Sequence, residues 1–141
     1  MRVLLDTSVI VDVDRGKKEV IDVCRKLTME HEALISTVTV SEILTGSYLR
    51  KDYRKAVAKA KKVLGQFSWI NLDGAVAEKT AQLNAYLITE GQPIEYQDQA
   101  IAASCLVTRS DVLLTRNKEH FIRIPALKDK VLTPEELEQK L

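Results

Sequence analysis

Five residues with carboxylate or amide oxygens lie where predicted strands end or predicted helices begin: Asp6, Glu42, Glu95, Asp98 and Asn117. Because open α/β sheets bind ligands at the carboxyl ends of their strands, we expect these side chains to converge. Glu95 and Asp98 are three residues apart and therefore share one face of a helix. Carboxylates gathered in this way repel one another unless a cation lies between them. Oxygen ligands favour Mg²⁺ or Mn²⁺, so the pattern predicts hydrolysis of phosphodiesters by water that the metal activates.

Short apolar runs alternate with helical patterns along the chain. Strands are predicted at 3–5, 33–35 and 112–114, with an extended segment or strand at 68–72 and an edge strand at 131–132. Besides short helices after Asp6 and after Ser36 or Thr37, helices are predicted over 17–30, 49–67, 75–90, 94–107 and 134–141. The alternation predicts one α/β domain over residues 1–141, with a central parallel sheet flanked by helices on both faces.

Composition excludes several classes of protein. The 141 residues are 45% apolar and 29% charged, with a formal net charge of +1, which is typical of a globular domain rather than a disordered chain. Cys24 and Cys105 have no CxxC spacing, so we expect buried free thiols rather than a zinc site or a disulfide. No apolar run reaches the roughly 18 residues of a membrane span, and no signal-peptide pattern is present. We therefore expect a cytoplasmic protein without a membrane partner.

The segments LLDTSVIVD, STVTVSEILTG, QDQAIAAS and LLTRNKEHFIRIPAL, in this order, resemble the PIN-domain family, and within it the VapC-type toxin ribonucleases. The resemblance implies that Asp6 and Asp98 bind a metal ion and that Glu42 completes the acidic pocket. Asn117 stands where the family has Asp or Asn, and its neutral amide suggests a contact through water. Glu95 would then supply the missing negative charge.

The same resemblance implies a divalent-metal endoribonuclease with an RNA substrate, an antitoxin protein as partner and a homodimer. The apolar residues of the helices around 9–27 or of the region 49–64 are the two candidate dimer surfaces. Thr7 and Thr115 are expected to support the site through their hydroxyls, although either Thr7 or Ser8 could instead cap the first helix.

Basic residues near the predicted site are candidates for RNA contact: Arg116, Lys51, Arg54 and Lys55. The basic stretch 50–62 could follow an RNA backbone, because lysines bind RNA simply by neutralising its phosphates. The simpler interpretation is that these lysines form the solvated face of a helix. The few aromatic residues, with Trp69 in a predicted buried element, argue against a stacking platform for RNA. Asp12 is expected to be solvated. His120 is expected to make a packing or helix-end contact, which argues against a histidine ribonuclease.

Two other functions compete with this prediction. Asn117, in place of a fourth acid, keeps open a catalytically weak PIN-fold module that binds RNA or protein. A metal-dependent phosphatase would need an aspartyl nucleophile with a second acid two residues later, whereas residue 8 is serine. The phosphatase hypothesis is therefore the weaker of the two.

Overall fold

A five-stranded parallel sheet forms the centre of the computed structural model, which describes residues 1–141. Its strands are β1 (Arg2–Leu5), β2 (Glu32–Ser36), β3 (Ser68–Ile70), β4 (Val112–Leu114) and β5 (Val131–Leu132), in the spatial order β3-β2-β1-β4-β5. Residues 3–5 of β1 and all of β4 are continuous apolar runs, as expected for strands with both faces of the sheet covered. This arrangement confirms the predicted α/β fold with a parallel sheet.

Eight helices connect and follow the strands: α1 (Thr7–Asp14), α2 (Lys18–Glu30), α3 (Thr37–Tyr48), α4 (Tyr53–Leu64), α5 (Gly74–Thr89), α6 (Tyr96–Val107), α7 (Lys118–Phe121) and α8 (Pro134–Glu138). Residue type and position predict a cap at Asp73 and at either Ser36 or Thr37, and the side chains of Ser36 and Asp73 cap α3 and α5. The predicted helix over 49–67 is shorter, since α3 continues to Tyr48 and a turn precedes Tyr53.

Two apolar clusters pack on opposite faces of the sheet. Val3 and Leu5 belong to one cluster, with residues of α1 to α4 and α8, whereas Leu4 belongs to the other, with residues of α5 to α7. This alternation follows from the two-residue period of a strand, which sends successive side chains to opposite faces. Helices therefore cover both faces, and the strand ends remain as the open edge for a site.

Two expectations about exposure are wrong. Trp69 is 48% exposed, because β3 is the edge strand of the sheet, and its indole N–H donates to the carbonyl of Leu64. Most apolar residues of the predicted 9–27 surface face the core, with Val9, Val20 and Leu27 fully buried, so this region offers no continuous apolar surface for a dimer. Exposed apolar side chains occur instead at the turn between α3 and α4, where Leu49 is 81% exposed.

Cys24 and Cys105 are buried free thiols, as predicted. Burial raises the pKa of each thiol to about 12, because the thiolate would lose its hydration. Neither thiol is therefore a reactive nucleophile at neutral pH. No helix of the chain is both long enough and apolar enough to span a membrane.

Candidate active site

Asp6 leaves the end of β1 and occupies the N-cap position of α1, but its side chain does not cap the helix. The residue is only 2% exposed. Its Oδ2 atom accepts hydrogen bonds from the hydroxyls of Ser8 and Thr115, each at 2.7 Å. Two charge-assisted hydrogen bonds hold the carboxylate at the edge of the sheet, and both use the same oxygen.

Glu42 reaches the same edge from the second turn of α3. Its Oε1 atom accepts a hydrogen bond from Thr7 Oγ1 at 2.7 Å, and the Thr7 hydroxyl also contacts Thr39 Oγ1 at 2.9 Å. The hydroxyls of Thr7 and Ser8 thus serve carboxylates, and the alternative prediction that one of them caps α1 is wrong. Since Thr7 follows Asp6 directly, the start of α1 links the first two acids.

Asp98 is the third residue of α6, and a histidine holds it in place. His120 Nδ1, on the short helix α7, lies 2.9 Å from Asp98 Oδ2. The prediction that His120 makes only a packing or helix-end contact is therefore wrong. This pair ties α7 to α6 beside the site.

The three acids lie within electrostatic reach of one another. The pKa of Glu42 is raised by desolvation and by the charges of Asp6 and Asp98, while the Thr7 hydrogen bond opposes the rise. The pKa of Asp98 is raised by burial and by the charge of Asp6, with a smaller contribution from Glu95, while His120 opposes the rise. Part of each rise comes from repulsion between the carboxylates, and a cation bound at this edge would relieve that repulsion.

The donors fit a hard cation in chemistry, since they are carboxylate and hydroxyl oxygens. No three acidic, histidine or cysteine side chains approach closely enough in this structure to share one ion. Asp6 Oδ1, by contrast, accepts no hydrogen bond, because both hydroxyl donors bind Oδ2. The residues therefore fit an ion by the chemistry of their donors, with Asp6 Oδ1 as a ligand atom that no hydrogen bond occupies.

The model of the PIN-domain family matches residues 3–127 of the chain. The chain belongs to the PIN-domain family. The tRNA(fMet)-specific endonuclease VapC of Shigella flexneri is 24% identical over 128 residues, which cover 91% of this PIN chain and 96% of that protein.

Solved structures extend the similarity to the whole PIN fold. The crystal structure of DNA-bound VapBC from Salmonella typhimurium has a TM-score of 0.85 at 23% identity, covering 95% of this chain and 98% of that chain. A toxin–antitoxin complex from Klebsiella pneumoniae has a TM-score of 0.73 at 24% identity, covering 94% and 97% of the two chains. The fold predicted from the family resemblance is thereby confirmed.

The remaining site residues of this PIN domain surround the three acids. A helix cap is the alternative role that its sequence position suggests for Asn117, but the residue occupies the N-cap position of α7 without a side-chain cap hydrogen bond. Its backbone N–H donates to Thr115 Oγ1 at 2.9 Å, and the same hydroxyl donates to Asp6. Glu95 is the N-cap residue of α6 and makes no hydrogen bond with its side chain. The roles of Asn117 and Glu95 in metal binding stay predictions.

Arg116 is held by carboxylates of its own domain. Its guanidinium pairs with Asp12 on α1, at 2.9 Å, and with Glu135 on α8. These two partners argue against the predicted phosphate contact. Asp12 is 6% exposed and also pairs with Lys17, so the expectation of a solvated acid is wrong. Burial raises the pKa of Asp12, but Arg116 and Lys17 outweigh it and leave the pKa below its usual value.

A cleft of about 650 Å³ lies between α1, α3 and α4 and begins at Glu42. Four basic residues line it: Arg15, Arg50, Lys55 and Lys59. Of the predicted RNA contacts Lys51, Arg54 and Lys55, only Lys55 lines the same cleft as Glu42. Lys51 and Arg54 are exposed outside this cleft, and their contact with RNA stays a prediction.

Sequence reasoning missed the role of Ser8. Its hydroxyl donates to Asp6 and accepts a hydrogen bond from the backbone N–H of Arg116 at 3.0 Å. The sequence feature that indicates this role is a hydroxyl residue two positions after Asp6, which from the sequence alone is interpreted only as a helix cap. Ser8 connects the end of β1 to the segment after β4, and these two paired strands lead to Asp6 and Thr115.

Proposed function

We propose that this PIN domain is a divalent-metal-dependent endoribonuclease that hydrolyses RNA phosphodiester bonds, and that it is the toxin of a toxin–antitoxin pair. The observation that carries the proposal is the convergence of Asp6, Glu42 and Asp98 on one edge of the sheet. Each carboxylate is held by a polar side chain, and burial together with the charge of Asp6 raises the pKa of the other two. The named activity of the Shigella flexneri relative supports RNA, and specifically tRNA, as the substrate class.

Each residue of the site has a distinct role in this proposal. Asp6 and Asp98 would hold Mg²⁺ or Mn²⁺, and Glu42 would complete the pocket or orient water. When bound, the ion supplies positive charge that stabilises the transition state and favours ionisation of the attacking water. Thr115 and Thr7 fix the carboxylates, and Asn117 would orient a water molecule on the far side.

We propose two protein partners for this chain, an antitoxin and a second copy of itself. The toxin–antitoxin complex among the solved relatives supports an antitoxin partner. The acidic edge would attract a basic segment of that protein, and an arginine there would compete with the metal. We also propose a homodimer, with the exposed apolar side chains Tyr48, Leu49 and Tyr53 as its surface.

The test is cleavage of total bacterial tRNA and of an unstructured RNA by the purified chain with Mg²⁺, with Mn²⁺ or with EDTA. We expect cuts with either ion and none in EDTA. The variant Asp6→Asn should stay folded and lose the cuts, because the amide keeps the shape but not the charge. Cuts that persist in EDTA or in folded Asp6→Asn would contradict the proposal.

A module that binds RNA or protein without hydrolysis is the second candidate function. Asn117 favours it, because this position lacks a fourth negative charge, as does the absence of three acids close enough to share one ion. Calorimetric titration with Mn²⁺ separates the two functions. The nuclease predicts saturable Mn²⁺ binding that Asp6→Asn weakens, whereas the binding module predicts no such binding and no cuts.

A further inference from the structure

A second cleft, of about 390 Å³, opens next to Asp98. It is formed by the segment that leads into α6 and by the region of α7, and its lining residues are Pro93, Ile94, Glu95, Tyr96, His120 and Arg123. Its volume is within the range of small-ligand sites and is sufficient for a nucleobase.

His120 connects this cleft to the proposed active site. Its imidazole lines the cleft, and its Nδ1 atom lies 2.9 Å from Asp98 Oδ2. The cleft therefore begins one side chain away from a proposed metal-binding carboxylate. A nucleotide next to the scissile phosphate is within reach of this cleft, whereas a distant nucleotide is not.

Tyr96 gives the cleft an exposed aromatic surface. It is the first residue of α6 and is 55% exposed, and no other ring of this chain packs against it. The imidazole of His120, with 35% of its side chain exposed, lines the same cleft. Aromatic side chains near a nucleic-acid backbone bind bases by stacking, and any base has a face that can stack.

Arg123 and Glu95, the charged residues of the cleft, can bind the phosphate and the polar edge of the base. Arg123 donates one hydrogen bond, from Nη1 to the carbonyl of Pro93 at 3.2 Å, and it has no carboxylate partner. Its remaining N–H groups are available to a phosphate. Glu95 is exposed and its carboxylate has no hydrogen-bond partner, and a carboxylate accepts from the amino group of a base.

We propose that this cleft is a nucleobase subsite for a nucleotide that flanks the scissile phosphate. Tyr96 stacks on the base, Arg123 contacts a phosphate of that nucleotide, and Glu95 accepts a hydrogen bond from the amino group of adenine, cytosine or guanine. Uracil has no amino group and can donate only through its N3–H, which lies between two carbonyl oxygens that repel a carboxylate, so it is disfavoured. This inference rests on the proposed ribonuclease function and adds a specificity-determining surface to it.

The test compares Tyr96→Leu with Tyr86→Leu, because Tyr86 is also an exposed tyrosine but lies on α5 outside the cleft. The probe is a single-stranded RNA pool with all positions randomised, cleaved in Mg²⁺ and sequenced at the new ends. We expect Tyr96→Leu to lower kcat/KM about tenfold, mainly through KM, and to flatten the base preference at one flanking position. Tyr86→Leu should match the wild type in both measurements.

Glu95→Ala tests the hydrogen bond separately from stacking. We expect it to remove the preference against uracil while Tyr96 still supports binding. If Glu95 instead holds the metal, Glu95→Ala will lower the rate equally for every base, and the assignment of Glu95 to the base is overturned.

Two outcomes separate the subsite from the function on which it rests. If the wild type cleaves the pool and Tyr96→Leu cleaves it with the same kcat/KM and the same base preference, the subsite is overturned and the nuclease stands. If the wild type cleaves no RNA with any ion, the proposed function fails. Anisotropy of the labelled pool then tests the cleft alone, and equal affinity for wild type and Tyr96→Leu overturns it.

Discussion

Replacement of Thr115 by valine tests how the site is held together. Thr115 is fully buried, donates to Asp6 Oδ2 at 2.7 Å and accepts from the backbone N–H of Asn117 at 2.9 Å. Valine preserves the shape of the side chain and removes both hydrogen bonds. Loss of a hydrogen bond to a charged group costs about 1.5–3 kcal/mol, and Asp6 keeps the one from Ser8. We therefore expect a loss of about 2 kcal/mol, or about 6 °C in Tm.

The same substitution should lower activity, because Asp6 would no longer be fixed at the edge of the sheet. Side chains that orient metal ligands typically contribute about 10–100-fold to activity, and we expect a loss in that range for Thr115→Val. Urea unfolding measures the stability, and the initial rate of tRNA cleavage measures the activity. Thr115→Ser is the control, since it keeps the hydroxyl. Equal stability and equal rates for the valine and serine variants would refute the reasoning.

Two further predictions concern the charges around the site. Arg116→Met should cost about 2 kcal/mol at pH 7, because it leaves the buried Asp12 with only Lys17, whereas Glu135→Gln, on the exposed side of the same guanidinium, should cost less than about 0.5 kcal/mol. Because the pKa of Asp12 is lowered in the folded state, the stability that its ion pair with Arg116 contributes is lost as pH falls through that pKa. Chemical denaturation should therefore show that Arg116→Met lowers the free energy of unfolding less at pH 3 than at pH 7. An equal loss at both pH values would contradict the pairing. Glu42→Gln should abolish cleavage yet stabilise the metal-free fold slightly at pH 7, because desolvation and the charges of Asp6 and Asp98 raise the pKa of Glu42, so that its ionisation costs stability as pH rises. If the Tm of Glu42→Gln gains nothing on that of the wild type between pH 4 and pH 7, the raised pKa of Glu42 is contradicted.

The parallel sheet and the positions of its acids could be predicted because they depend on local sequence. The run Val3–Leu5 is buried on both faces, and a residue that follows such a strand must lie at its carboxyl end. Asp6 was placed by this argument alone. Residue type and position likewise predict the cap at Asp73, and they narrow the cap of α3 to Ser36 or Thr37, of which the structure has Ser36.

The errors share a different origin, since they concern contacts between residues far apart in the chain. Asp12 is buried because Arg116, 104 residues later, crosses from the segment after β4 to α1. His120 reaches Asp98 because α7 packs beside α6, and no local pattern indicates that packing. The exposure of Trp69 depends on the position of β3 at the edge of the sheet, which three residues of sequence do not specify.

The most direct test of the central claim is the rate of tRNA cleavage in Mg²⁺ by wild type, Asp98→Asn and Asp111→Asn. Asp111 is a matched control, because it is an exposed aspartate that binds the backbone N–H of Arg2 at the opposite edge of the sheet. We predict that Asp98→Asn lowers kcat/KM by about 100-fold or more while its thermal unfolding shows a folded protein, and that Asp111→Asn cleaves like the wild type. Equal rates for folded Asp98→Asn and the wild type would contradict the account.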